Sequence, residues 1–252
     1  VNLEEYRRMY EAEERQWWYA GMRRISLALL DGALPSTTRP RTLDAGCGTG
    51  NNLAVLARRG PAVGIDLSEE ALAFCRIRGV AAARGSALAL PFPAEAFDCV
   101  TSFDVLYHRW VEDDGAAVRE LARVLRAGGV LLVRVPALKM LWGAHDEAVH
   151  SRHRYRAPEV RSLLEGAGLV VERLTYANSF LFPLLAVRRG MDRLTGRHGS
   201  DVGFLPAPLE WAFRGLLGIE ARLVRHVSLP VGASVFAVAR KPTRYNPDPQ
   251  AS

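Results

Sequence analysis

The sequence predicts one α/β domain built on a doubly wound, seven-stranded sheet whose last strand runs antiparallel, and three observations predict it. From Arg41 onward, short apolar runs alternate with helix-patterned stretches. A glycine-rich turn sits where the first strand should pass into a helix. A chain of 252 residues with 49% hydrophobic content can bury one sizeable core and does not demand a second.

Residues 3–30 form a charged, amphipathic helical stretch in which Tyr6, Tyr10, Trp17 and Met22 alternate with acids and arginines, so this segment should lie on something. It belongs to an N-terminal helical lid, residues 1–40. Strands are expected at 42–45, 62–66, 81–84, 97–102, 130–136, 169–176 and 234–240. Helices are expected at 51–59, 68–78 and 114–125. About fifty residues separate Tyr176 from the last strand, where a hairpin would suffice, so 177–226 reads as an insertion that serves the substrate. The domain runs over 1–241, and a polar tail, 242–252, follows it.

The formal charge of +6 and pI near 9.6 come almost wholly from arginine, since Lys139 and Lys241 are the only lysines. The arginines are scattered in ones and twos, as at Arg23-Arg24, Arg58-Arg59 and Arg188-Arg189. They lack the dense basic tract or aromatic interleaving that follows a phosphate backbone, so no nucleic-acid partner is expected. Cys47, Cys75 and Cys99 lie far apart in sequence, form no metal-like pair, and come with no leader-like segment, so a reducing, cytoplasmic setting is expected. Apolar runs such as 180–187, broken by Pro183, fall short of the roughly 20 residues of a membrane span.

The most informative segment is LDAGCGTG, residues 43–50. Gly46 and Gly48 allow a tight turn and close approach of a ligand to a strand end and helix N-terminus. The next strand ends in Asp66, twenty residues after Gly46, where a carboxylate can accept hydrogen bonds from both hydroxyls of a ribose. An adenosine-bearing ligand is implied. Asn51 occupies the place where a dinucleotide-binding turn needs its third glycine or an alanine. Asp44, beside the turn, suits a ligand with an ammonium group better than one with a pyrophosphate.

LDAGCGTG, VGIDLS at 63–68, ALPFPAEAFDCVTSFDVLYH at 89–108 and LARVLRAGGVLLVRVP at 121–136 form a series. With it the chain resembles the class I S-adenosylmethionine (SAM)-dependent methyltransferases of the type 11 kind. The resemblance implies a Rossmann-like fold, SAM as cofactor and S-adenosylhomocysteine as product. It places Gly46, Cys47 and Gly48 around the amino-acid part of SAM, Asp66 on the ribose and Leu67 beside the adenine. Ser86 and Ala87 would flank the other adenine face, with Ser86 standing where many relatives carry an aspartate. Phe103 and Asp104 would border the methionine and open toward the acceptor, and Gly128-Gly129 would turn the chain before strand five. N-terminal lids occur in this family, and Tyr19 and Arg23 would contact the methionine carboxylate or the ribose.

Methyl transfer is an in-line displacement on an activated carbon, so the protein mainly aligns the partners, excludes water and, for a hydroxyl or ammonium acceptor, removes a proton. Histidine suits that last task. His108 follows the fourth strand, and His145 and His150 lie in GAHDEAVHSRHRYR, 143–156, after the fifth; these three are the candidate bases. The second stretch resembles a segment of a subset of these methyltransferases, as do Asn178 and Leu181-Phe182-Pro183. His153, Arg154, Tyr155 and Asn178 are the candidate acceptor contacts; His198 and His226 lack such context. No metal is expected: His145 and Asp146 are adjacent and would point apart, and an activated methyl donor needs no Lewis acid.

Within the insertion, residues 204–223 place Leu205, Leu209, Phe213, Leu216 and Leu217 at helical spacing near Arg214, Arg222 and Arg225. A lid over the site and a homodimer face are the first readings; peripheral contact with a membrane surface is the other. Trp17-Trp18-Tyr19 would join the insertion around an apolar acceptor. The expected function is methyl transfer from SAM to a small-molecule or lipid-like acceptor at oxygen or nitrogen, the alternative being a SAM-binding protein with a non-methylating or sensing role.

Overall fold

The computed structural model describes residues 3–34, 37–195 and 205–243. The strands are β1 (Thr42–Ala45), β2 (Ala62–Asp66), β3 (Ala82–Arg84), β4 (Phe97–Phe103), β5 (Leu125–Pro136), β6 (Val170–Ala177) and β7 (Ser234–Arg240). They form one sheet in the order β3-β2-β1-β4-β5-β7-β6, with β7 antiparallel to both its neighbours, as the sequence predicts. The helices are α1 (Leu3–Arg15), α2 (Trp17–Ala33), α3 (Asn51–Ala57), α4 (Glu69–Arg78), α5 (Asp114–Val124), α6 (Ala144–Ala148), α7 (Ala157–Gly166), α8 (Phe182–Thr195) and α9 (Ala207–Leu223).

Two apolar layers cover the sheet, and strand alternation assigns the side chains to them. In β7, Val235, Ala237 and Ala239 join Val118 and Leu121 of α5 and Val160 and Leu164 of α7, whereas Phe236 and Val238 join Met22 and Ile25 of α2 and Leu217 of α9.

Four departures from the sequence expectation have physical causes. The stretch 3–30 is two helices, because Gln16 is buried in an extended conformation and Glu210 of α9 accepts the Trp17 N–H at 2.8 Å, starting a new helix there. Only α1 therefore lies over the glycine turn; α2 is a core helix. Strand β5 begins five residues early, since Leu125 pairs with Phe97 before a bulge that resumes at Cys99 and Val130. Gly128, at φ +73°, thus lies within the strand and not before it. Helix α7 has no counterpart in the sequence reading, since it buries only Val160 and Leu164, whereas the insertion 177–226 is helical as expected, with α8 burying no residue among those described.

Helix α9 packs on α2, which answers part of the question left by the insertion. Leu217 seats against Gly21, where an added Cβ would lie 2.1 Å from Leu217 Cδ1 and 2.7 Å from its Cβ. Gly21→Ala is therefore expected to lower stability by about 1–2 kcal/mol in urea unfolding, because the contact is to a helix-borne carbon that cannot swing away. Phe204, His198 and the tail from 244 onward lie outside the described residues. Among the described residues no helix is long and apolar enough to cross a membrane.

Candidate cofactor and acceptor site

The turn after β1 is built by backbone bonds. Gly46 and Cys47 both donate to the Ile65 carbonyl at 2.9 Å, drawing the turn against β2. Gly46 sits at φ +82°, and a Cβ there would fall 2.2 Å from Val105 Cγ2, so conformation and space both require glycine. Asp66, at the end of β2, accepts from Gly48 N at 2.9 Å and Ser68 N at 3.0 Å. Its carboxylate is thereby held facing the turn, while Ser68 caps α4. Leu67 beside it is exposed. Ser86 Oγ accepts from Leu88 N at 3.2 Å, and Ala87 is buried in the core.

Helix α1 covers this turn. Met9 Cε lies 3.5 Å from where a Gly48 Cβ would be. The Tyr6 hydroxyl bonds to Ser68, and burial, reinforced by the Asp66 charge, pushes Tyr6 up to about 12. Glu13 is the fastener. Its carboxylate accepts from Thr49 Oγ1 and from Arg78 Nη2 at 3.0 Å, and its carbonyl accepts from Asn51 Nδ2 at 3.2 Å and Arg23 Nη1 at 3.4 Å. Burial raises the Glu13 carboxyl, against the bonds from Thr49 and Arg78. Tyr10 stacks on Phe74 at 4.8 Å beneath the Arg78 guanidinium. Glu13, Thr49 and Arg78 escaped the sequence reading, since no local pattern says that an acid on α1 will meet a hydroxyl 36 residues away. Arg23 is half-buried, and burial lowers its pKa. Tyr19 packs edge-on against Trp18.

Behind the turn lies a second charged cluster. Asp44 is fully buried and accepts from Thr101 Oγ1 at 2.7 Å. Burial pushes its carboxyl up to about 7, opposed by the Thr101 bond and the Arg134 charge. Arg134, on β5, donates to Asp104 Oδ2 through Nε at 2.9 Å and through Nη2, and its guanidinium lies over the rings of Trp18, Phe103 and Phe236. Asp104 adopts φ +57° at the end of β4. Arg134 was visible only as one charge in an apolar strand.

The loops after β4 and β5 are joined to each other. Arg152 N donates to Tyr107 O at 2.7 Å, Arg109 N donates to His150 O at 3.1 Å, and His108 bridges to Ser151. His108 stacks on Tyr107, and its Nδ1 is buried with no hydrogen-bond partner among the described residues. Burial lowers its pKa, countered by the Val149 carbonyl and the charges of Asp104 and Asp66. His150, at φ +54°, sets its ring edge-on to Trp110, and His145 is half-buried on α6. His153 turns the other way, toward Glu159 at 3.5 Å and the face of Tyr155.

Two of the expected acceptor contacts hold partners within the chain. Arg154 donates from Nε and Nη2 to the buried Asp146 carboxylate at 2.7 and 3.0 Å, and from Nη1 to Ala137 O at 3.0 Å. The Tyr155 hydroxyl is buried, donating to Asp114 Oδ2 at 2.7 Å. Both fasten the loop to the core, a use of polar side chains that a loop motif cannot distinguish from ligand binding. Asn178 is buried at φ +57°, its N–H and those of Ser179 and Phe180 bound by the Glu220 carboxylate, while its own Oδ1 has no partner among the described residues. Among the described residues no three His, Cys, Asp or Glu side chains gather as a metal would need.

Residues 43–133, the span of this turn and both charged strand ends, match the family described as "Methyltransferase domain". A "probable S-adenosylmethionine-dependent methyltransferase" of Mycobacterium tuberculosis is 34% identical over 175 residues, 67% of this chain and 60% of that protein. Residues 43–133 are thus a methyltransferase domain, of the class I SAM-dependent kind. The chain spans about 60% of the length of the curated relatives it first matches. A fatty-acid O-methyltransferase of Mycolicibacterium smegmatis is 40% identical over 101 residues, 36% of this chain and 35% of that one. A SAM-dependent methyltransferase from Thermotoga maritima has the same fold, with a TM-score of 0.57 at 20% identity, covering 94% of this chain and 95% of that one.

SAM is the cofactor of this family, and the residues present suit it. The turn leaves room only for backbone at Gly46, the Asp66 carboxylate closes the end of β2, and a buried acid lies behind the turn instead of a basic group. One feature of the turn was hidden by sequence separation: the buried thiols of Cys47 and Cys75 lie 3.9 Å apart, and Cys75 also donates to Gly48 O at 3.2 Å. The contact with Cys75, together with burial, raises the Cys47 thiol, so it packs as a neutral group.

Proposed function

We propose that this chain transfers the methyl group of SAM to a small-molecule or lipid-like acceptor, at oxygen or nitrogen, with His108 as the base. The observation that carries this reading is the place of His108 on the loop after β4, with a buried Nδ1 that has no partner among the described residues. SAM brings a sulfonium-activated methyl group; the chain holds its ends. Asp66 takes the ribose hydroxyls, Leu67, Ser86 and Ala87 the adenine, and Gly46, Cys47, Gly48, Phe103 and Asp104 the methionine, with Tyr19 and Arg23 closing from α2. Asp44 faces the ammonium. The fatty-acid O-methyltransferase among the relatives supports an apolar acceptor with a reactive oxygen. Asn178 borders the acceptor; Arg154, Tyr155 and His153 take no part, and His145 and His150 shape the loop.

The test is S-adenosylhomocysteine formation across hydroxylated, carboxylated and aminated acceptors. His108→Ala is expected to lower kcat about 100-fold with unchanged S-adenosylhomocysteine affinity. An unchanged kcat would remove His108 as the base.

Asp44 makes cofactor binding pH-dependent. Its folded pKa is about 7 against an ordinary 3.8, so the acid is half-neutral at pH 7 and attracts an ammonium only when ionised. Affinity for S-adenosylhomocysteine is expected to fall roughly tenfold from pH 8 to pH 6, and Asp44→Asn to flatten that profile. The stability sign is opposite: a raised carboxyl favours the fold at low pH, and that contribution is lost as pH rises through about 7. Calorimetric titration across this range checks the binding and thermal melts check the stability.

A further inference from the structure

We propose that α8 is a docking face for an anionic lipid surface. Leu184, Val187, Met191 and Leu194 recur at spacings of three and four, and are 56%, 61%, 60% and 88% exposed. The helix meets the protein through the half-buried Phe182, Leu185 and Ala186 and through its arginines. Arg189 Nε donates to Leu141 O at 3.1 Å and Arg193 Nη2 to Met140 O at 2.7 Å, anchoring α8 on the turn after β5. A second apolar stripe is left turned outward.

The charge around the stripe selects the occupant. Arg188 lies at its edge, Lys139 and the 52%-exposed Met140 lie beside its anchor, and Asp192, the only acid of α8, pairs with Arg189. A second copy docking through the same face would bring two such basic rims together in a chain already at +6. A surface of anionic headgroups attracts the rim while its acyl region takes the leucines and methionine. The anchoring turn continues from the carboxyl end of β5, so docking would hold the acceptor edge of the sheet toward the lipid. The inference stands on this surface alone and holds whatever the acceptor is.

The experiment is flotation of the whole chain with vesicles of phosphatidylcholine alone or with phosphatidylserine, with S-adenosylhomocysteine titration as a control for folding. Binding is expected only to the phosphatidylserine vesicles, weakened roughly fivefold by Arg188→Gln and abolished in the Val187→Asp, Met191→Asp double variant, with cofactor affinity unchanged in both. Absence of binding to the anionic vesicles, or equal binding by the double variant, would overturn the proposal. So would a lipid-free dimer, seen by light scattering, that the double variant dissociates, since the stripe would then belong to a second copy.

Discussion

Asp66→Ala is expected to weaken S-adenosylhomocysteine binding by about 1,000-fold. A carboxylate accepting from two ribose hydroxyls makes two charge-assisted hydrogen bonds, each contributing about 1.5–3 kcal/mol, and alanine removes both. The substitution also frees Gly48 N and Ser68 N, so the turn itself loses its tether. Asp66→Asn separates the two contributions, because an amide oxygen can still accept one backbone bond but carries no charge. Calorimetry on both variants, with a thermal melt to confirm folding, gives the comparison. A loss below tenfold in a folded Asp66→Ala protein would remove Asp66 from the ribose.

Asp146→Ala is expected to cost about 3–5 kcal/mol of stability, lowering Tm by roughly 10 °C. Asp146 is 2% exposed, and its carboxylate receives Arg154 through two bonds and Gly143 N at 2.9 Å. Removing it strands a guanidinium whose side chain is only 10% exposed, with the Ala137 carbonyl left to it. The reciprocal Arg154→Met, which fills the space without a charge but strands the carboxylate, tests whether the loss follows the unpaired ion. Urea unfolding measures both. If Asp146→Ala lost less than about 1 kcal/mol, the pair would not be fastening the loop. Because that loop is hydrogen-bonded to the segment carrying His108, kcat should fall with stability in this variant.

The series of motifs from 43 to 136 was legible because each obeys a local rule. Gly46 is dictated by its own φ and by a neighbour that approaches through the turn, and Asp66 by its place at a strand end. Strand periodicity likewise announced β4 and β7. Local rules name no partners: Arg154 and Tyr155 sit in a loop motif as a substrate contact would, and the structure gives them Asp146 and Asp114. Helix α8 carries apolar side chains on two sides, half-burying Phe182 and Leu185 while Leu184, Val187, Met191 and Leu194 face outward.

What the sequence by itself determined is the sheet, its order of motifs and the glycine turn after β1, because these depend on φ, on side-chain period and on spacing within one βαβ unit. What only the tertiary structure decided is which polar groups meet: Glu13 with Thr49 and Arg78, Arg134 with Asp104, Cys47 with Cys75, and Glu220 with the 178–180 backbone. Such pairs join elements far apart in the chain. Their energies arise from burial and mutual distance, neither of which exists until the layers have packed.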